Sequence, residues 1–127
     1  MAPDDPKEWL DRARSNLALA DAQLPGVYLE DLCFEAQQAA EKALKALLIH
    51  HSVAFPYVHD LSQLLTLLTR LGIEIPPEIL QATNLTKYAV TTRYPGVVGA
   101  VSAKMHEEAL AIASEVVKWV ESILGSP

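Results

Sequence analysis

The sequence predicts an all-α fold, an up-and-down bundle of four to five helices, on three observations. Half of its 127 residues are hydrophobic, and Ala and Leu dominate that half. Glycine is scarce, with five in the chain. The apolar residues recur at three- and four-residue steps, the period of a helix buried along one face. Ala and Leu are strong helix formers, and β-branched runs that would favour strands are few. This length suits a single domain, placed at residues 5–124, with core enough to fold without disulfides or metals.

Each element has a start and a stop. Asp5-Pro6-Lys7-Glu8 opens the first helix: Asp5 caps, Pro6 fits the first helical position, and Glu8 stands three residues after the cap. Trp9, Leu10, Ala13, Leu17, Ala20 and Leu24 follow on one face, and Pro25-Gly26 ends the run. The second helix spans residues 28 to 51. Its apolar face carries Leu29, Leu32, Cys33, Ala36, Ala40, Ala43, Leu44, Leu47 and Leu48. Its small residues invite close approach of another helix, which makes it the central element. The opposite side, with Glu35, Gln38, Glu41, Lys42 and Lys45, reads as solvated. On that reading the Glu41–Lys45 pair contributes a few tenths of a kcal/mol.

Asp60 or Ser62 caps a leucine-rich third helix that Gly72 terminates. Pro76-Pro77 starts a fourth helical segment through Leu80, Leu85 and Tyr88, and Arg93-Tyr94-Pro95-Gly96 breaks it. The last helix runs from about residue 102 to 124, with His106, Leu110, Ala113, Val116, Val117, Val120 and Leu124 on one stripe.

Charge and motifs restrict the function. The net charge is −6, spread over helix faces, so duplex DNA is not expected as a partner. A local cationic patch from Lys42, Lys45, Lys87 and Arg93 remains compatible with that total. Cys33 is the single cysteine, so an intramolecular disulfide is excluded, and its apolar surroundings predict burial. No metal and no cofactor are expected: His50 and His51 are adjacent and point about 100° apart on a helix, unlike a metal-binding pair one turn apart. There is no glycine-rich phosphate loop and no nucleophile elbow. The acidic N-terminus lacks the character of a signal peptide and no stretch is long and apolar enough to span a membrane, so a cytoplasmic protein without membrane contact is expected.

Two motifs invite a ligand. His59-Asp60 precedes the third helix, where Asp60 caps and His59 stands at the mouth of the bundle. Arg93-Tyr94-Pro95 follows the fourth segment, and arginine suits bidentate phosphate recognition, with Tyr88 and Tyr94 as stacking rings. Each motif also has a purely structural explanation, through capping and the helix dipole.

These motifs, with Phe34-Glu35-Ala36-Gln37-Gln38-Ala39-Ala40-Glu41-Lys42-Ala43-Leu44-Lys45-Ala46-Leu47-Leu48, His59-Asp60-Leu61 and Leu64-Leu65, resemble the HEPN domain, a helical family of higher eukaryotes and prokaryotes. The resemblance covers nearly the whole chain. It implies a four- or five-helix bundle that commonly forms a homodimer and is often encoded beside a minimal nucleotidyltransferase, in some cases as a toxin–antitoxin pair. It also implies nucleotide or RNA binding, and many members cleave RNA with an arginine followed after four to six residues by histidine. In such a site arginine holds the scissile phosphate and histidine moves the 2′-OH proton. Here Val97, Val98, Gly99 and Ala100 occupy the expected stretch, and His106 is the first histidine after Arg93. The expectation is therefore a non-catalytic protein binding nucleotide or RNA phosphate through Arg93, Tyr94, Tyr88, His59 and Lys42. Two alternatives accompany it. One is a divergent metal-independent endoribonuclease using Arg93 with His59 or His106; the other is a structural helical interaction module.

Overall fold

In the computed structural model, residues 5–22, 24–55, 60–91 and 100–125 are described. Six α-helices appear among them: α1 (Pro6–Asp21), α2 (Leu29–His50), α3 (Leu61–Arg70), α4 (Pro77–Leu80), α5 (Tyr88–Thr91) and α6 (Ala103–Leu124). A 3-10 helix, Gln81–Leu85, follows α4. No strand occurs among the described residues, and no helix there is long and apolar enough to cross a membrane.

The helix starts follow the expected chemistry. Asp5 Oδ1 accepts the Lys7 amide at 3.0 Å, and Pro6 occupies the first turn. Asp60 accepts both the amide (3.0 Å) and the hydroxyl (2.7 Å) of Ser62, and Ser102 Oγ accepts the Met105 amide (3.1 Å). The Ser62 hydroxyl holds the Asp60 carboxyl below its ordinary value of 3.8. A lowered carboxyl pKa contributes stability above the unfolded value, which is lost as pH falls through the lower folded value. Helix α1 stops at Asp21, short of Leu24, because proline at 25 disfavours helical geometry in its predecessor.

Two helices end in the same motif with different residues. After α2, the Ser52 amide bonds Ile49 O (2.8 Å) and the Val53 amide bonds Leu48 O (3.0 Å), with Ser52 at φ +58°. After α3, Gly72 and Ile73 make the matching bonds to Thr69 and Leu68, with Gly72 at φ +86°. Both are Schellman ends that place one residue in the left-handed region. Glycine fits there without cost, whereas a side chain is strained by about 1 kcal/mol. Ser52→Gly is therefore expected to raise stability by about 0.5–1 kcal/mol, read as a higher denaturant midpoint with an unchanged slope.

The fourth segment is not one helix. Ile79, Ala82, Leu85 and Tyr88 are all buried and fall three apart. A 3-10 helix stacks residues i and i+3, so this spacing buries one straight edge. Thr83 Oγ1 also bonds back to Leu80 O (3.1 Å), a local alternative to the α-helical ladder.

Helix α2 sits at the centre of the bundle. Ala36, Ala39, Ala40, Ala43 and Ala46 are fully buried, so α1 and α6 approach closely. At one end the His106 ring, early in α6, bonds Ala20 O near the close of α1. At the other, Pro6, His50 and Leu124 line one hollow. Helices α2 and α6 therefore run parallel, and both oppose α1.

The supposedly solvated side of α2 departs from expectation. Gln37, Glu41 and Lys45 are buried. Gln37 Nε2 donates to Glu41 Oε1 (2.9 Å), and Lys45 Nζ bonds Glu41 Oε2 (2.9 Å). Lys45 Nζ lies 6.0 Å from the Trp9 ring and 5.1 Å from the Phe55 ring, and the two rings meet edge to face at 5.7 Å. A central helix has neighbours on nearly every side, so its polar row is roofed by α1 and the loop after α2.

Candidate functional site

Lys42 and Tyr88 are the candidate ligand residues that fall among the described residues. His59, Arg93 and Tyr94 lie outside them. Lys42 is half-buried at the α1–α2 edge. Burial lowers its pKa from 10.5, and the Arg12 charge pushes the same way, against Glu35 and Glu41. Arg12 is held by Glu8 (3.1 Å), and Glu35 accepts from Asn16 Nδ2 (2.6 Å). Arg12, Lys42 and Lys45 are thus offset by Glu8, Glu35 and Glu41. This edge is charge-balanced, so Lys42 and Lys45 do not form a cationic patch on it.

Tyr88 opens α5 and packs against α2, where its hydroxyl and the Cys33 thiol hydrogen-bond each other. Burial pushes Cys33 up to about 11 and Tyr88 up to about 12. The thiol is therefore inert, as the sequence predicted. Tyr88 departs from its expected part: its ring is 3% exposed, and Lys87 Nζ lies over it at 5.3 Å. It seals the bundle and does not present an open face for a base.

Lys42 and Tyr88 also fail to meet. Cys33, which Tyr88 bonds, stands nine residues before Lys42, which is about 180° around the helix and about 13.5 Å along it. The two side chains occupy opposite sides of α2. Lys87 goes with Tyr88, so it does not join Lys42 and Lys45 either.

The Tyr88 side has the more open geometry. A groove of about 370 Å³ runs between the 3-10 segment and α6, lined by Gln81, Asn84, Lys87, Tyr88, Met105 and Glu108 among others. It offers amides, an ammonium and a carboxylate over an apolar floor, suited to holding a polar ligand. The sequence reading missed the groove. Its signal was the three-residue spacing that turns Gln81, Asn84 and Lys87 to one side.

The start of α3 meets the approach to α5: the Leu61 amide donates to Thr86 Oγ1 at 3.1 Å. Leu61 stands two positions after His59, and Thr86 stands seven before Arg93. The described chain thus joins the segments leading to both motifs.

His106 is 4% exposed, and its Nε2 lies 2.7 Å from Ala20 O. Ala20 is in the last turn of α1, where a helix carbonyl has no partner within the helix. The ring satisfies that carbonyl by donating from Nε2. His106→Ala is expected to cost about 1–3 kcal/mol by leaving a buried acceptor without its donor. Urea unfolding would check this, and RNA integrity in the presence of the variant should match wild type. Elsewhere, His50 and His51 rings meet edge to face at 5.2 Å. No three His, Cys, Asp or Glu side chains cluster as metal ligands among the described residues.

Comparison with known proteins places this geometry in a family. Residues 6–123 match the family described as HEPN domain. TT1696 from Thermus thermophilus is similar in structure, with TM-score 0.78, 35% identity, and coverage of 92% of this chain and 96% of the other. ST0689, an archaeal HEPN homologue, gives TM-score 0.72 and 31% identity over 93% of this chain and 96% of its own. No curated protein matches. With its sequence matched almost end to end, and its bundle shared at more than 30% identity, the chain belongs to the HEPN domain family.

Proposed function

We propose that this protein binds a nucleotide or an RNA phosphate without cleaving it, and acts with a minimal nucleotidyltransferase. Arg93 contacts phosphate, Tyr94 stacks, and His59 supports. Lys42, on the far side of α2 from Tyr88, is left a peripheral part, and Tyr88 serves as the wall that backs the site. The protein works in the cytoplasm as a homodimer, and the transferase and this chain form a toxin–antitoxin-type pair.

The observation that carries the reading is His106. It is the first histidine after Arg93, thirteen positions on, and its ring is buried against a helix carbonyl. A proton-transfer role needs a nitrogen within hydrogen-bond reach of the 2′-OH. The Leu61–Thr86 bond supports pairing of His59 with Arg93, since it ties the two approach segments together.

Calorimetric titration with nucleoside triphosphates and short RNA, with and without the transferase, tests the proposal. Heat of binding is expected for wild type, with at least a tenfold weaker affinity for Arg93→Ala, since charge-assisted phosphate contacts contribute about 1.5–3 kcal/mol. No heat at millimolar ligand in either condition contradicts it.

A further inference from the structure

The α1–α2 turn carries apolar surface that the bundle does not use. Tyr28 is 71% exposed, Leu24 61% and Val27 38%, although α2 begins at once beyond them. Beside them lies a hollow of about 520 Å³, walled by Val27, Tyr28, Leu29, Ala100 and Val101, with Glu30 at its edge. Scattered exposed apolar residues need no explanation, but here three fall within five positions, and two of them, Val27 and Tyr28, line a concavity. A tyrosine standing free at the rim of an apolar hollow has the form of an interface anchor.

Charge decides what fits. Asp21, Glu30 and Asp31 flank the patch on the ends of α1 and α2. The His106–Ala20 bond fixes the start of α6 at the same end, which adds Glu107. Lys104 is the one cation on these helix ends among the described residues. A second copy docked by a twofold axis would set these carboxylates against their own equivalents. Nucleic acid and anionic lipid would be repelled for the same reason. A cationic segment with apolar anchors satisfies both the hollow and its acidic border.

We infer that the α1–α2 turn and the start of α6 form a docking surface for a basic amphipathic polypeptide segment. Its hollow and the Tyr88 groove have no lining residue in common. Tyr28 and Leu24 grip the apolar face of the segment, and Glu30 and Asp31 select its positive charge.

The test uses the whole protein, labelled with nitrogen-15, titrated with a synthetic helical peptide of lysine and leucine. A lysine–serine peptide of equal charge serves as control. The lysine–leucine peptide should bind with amide shifts confined to residues 24–31 and 100–107. Tyr28→Ala should weaken it about tenfold or more, the effect of removing an interface anchor. Tyr28 is mostly exposed, so this variant keeps the fold, and an unchanged spectrum elsewhere verifies that. Asp31→Lys should also weaken binding, and the loss should be smaller at high salt. Equal binding of the two peptides, shifts elsewhere, or no binding at millimolar peptide would overturn the inference. So would self-association abolished by Tyr28→Ala, since it would assign the patch to a second copy.

Discussion

Lys45→Met is expected to destabilise the protein by about 3–5 kcal/mol, because Glu41 would keep its buried charge and lose its ammonium partner. The side chains of Lys45 and Glu41 are 7% and 5% exposed, so water cannot replace the missing cation. Changing both, Lys45→Met with Glu41→Leu, should recover much of the loss. Buried ion pairs are often replaced by apolar residues of similar volume at little net cost. Recovery should stay incomplete, since Gln37 Nε2 also loses its acceptor in Glu41, a defect of about 1–3 kcal/mol. Urea unfolding of both single variants and the double variant gives the coupling energy directly. If the pair behaved as a surface contact, each single change would cost under about 1 kcal/mol.

Leu44→Ala is the second large effect, expected at about 3–5 kcal/mol. Leu44 is fully buried on the central helix. Truncating a core leucine costs the transfer energy of the lost methyls plus the cavity they leave. Collapse into that cavity is hindered, because the flanking positions are already alanine: Ala40, Ala43 and Ala46 have little side chain to move inward. In contrast Leu80→Ala, at a position 48% exposed, should change stability by less than about 0.5 kcal/mol. Thermal unfolding should separate the two variants by well over 5 °C, at roughly 2–8 °C per kcal/mol for domains of this size.

The contrast between these sites shows what the sequence could reveal. Helices α1, α3 and α6 were legible because their ends carry specific chemistry: Asp5-Pro6, Asp60 with Ser62, Ser102 and Gly72 act within one or two residues. Helix α2, which has no side-chain cap at its start, was legible from its long apolar face. The burial of Glu41 and Lys45 was not legible. A Glu–Lys pair one turn apart looks the same on a solvated face and on a roofed one. What distinguishes them is Trp9, thirty-two positions before Glu41, and Phe55 in the following loop, and local periodicity does not report such partners.

The fourth segment was read with the wrong period. Ile79, Ala82, Leu85 and Tyr88 were available as a three-residue repeat, but isolated threonines and an asparagine between them obscured it. For the candidate site, the sequence identified residue types suited to phosphate and base, yet sequence distance says nothing of which side of α2 each occupies. Lys42 and Tyr88 are separated by the helix itself, a fact set by the angle between Cys33 and Lys42. His106 shows the opposite case. Its place on the apolar stripe of α6 already implied burial, and the buried ring then found the orphan carbonyl that a helix end must leave.

If this HEPN protein holds phosphate through Arg93 and leaves RNA intact, both properties can be read from one sample. Fluorescence anisotropy of an end-labelled short RNA, with the same sample run on a denaturing gel after each titration, tests them most directly. Saturable binding by wild type is expected, with at least tenfold weaker binding by Arg93→Ala and full-length RNA throughout. RNA shortened by wild type and left whole by Arg93→Ala would contradict this expectation.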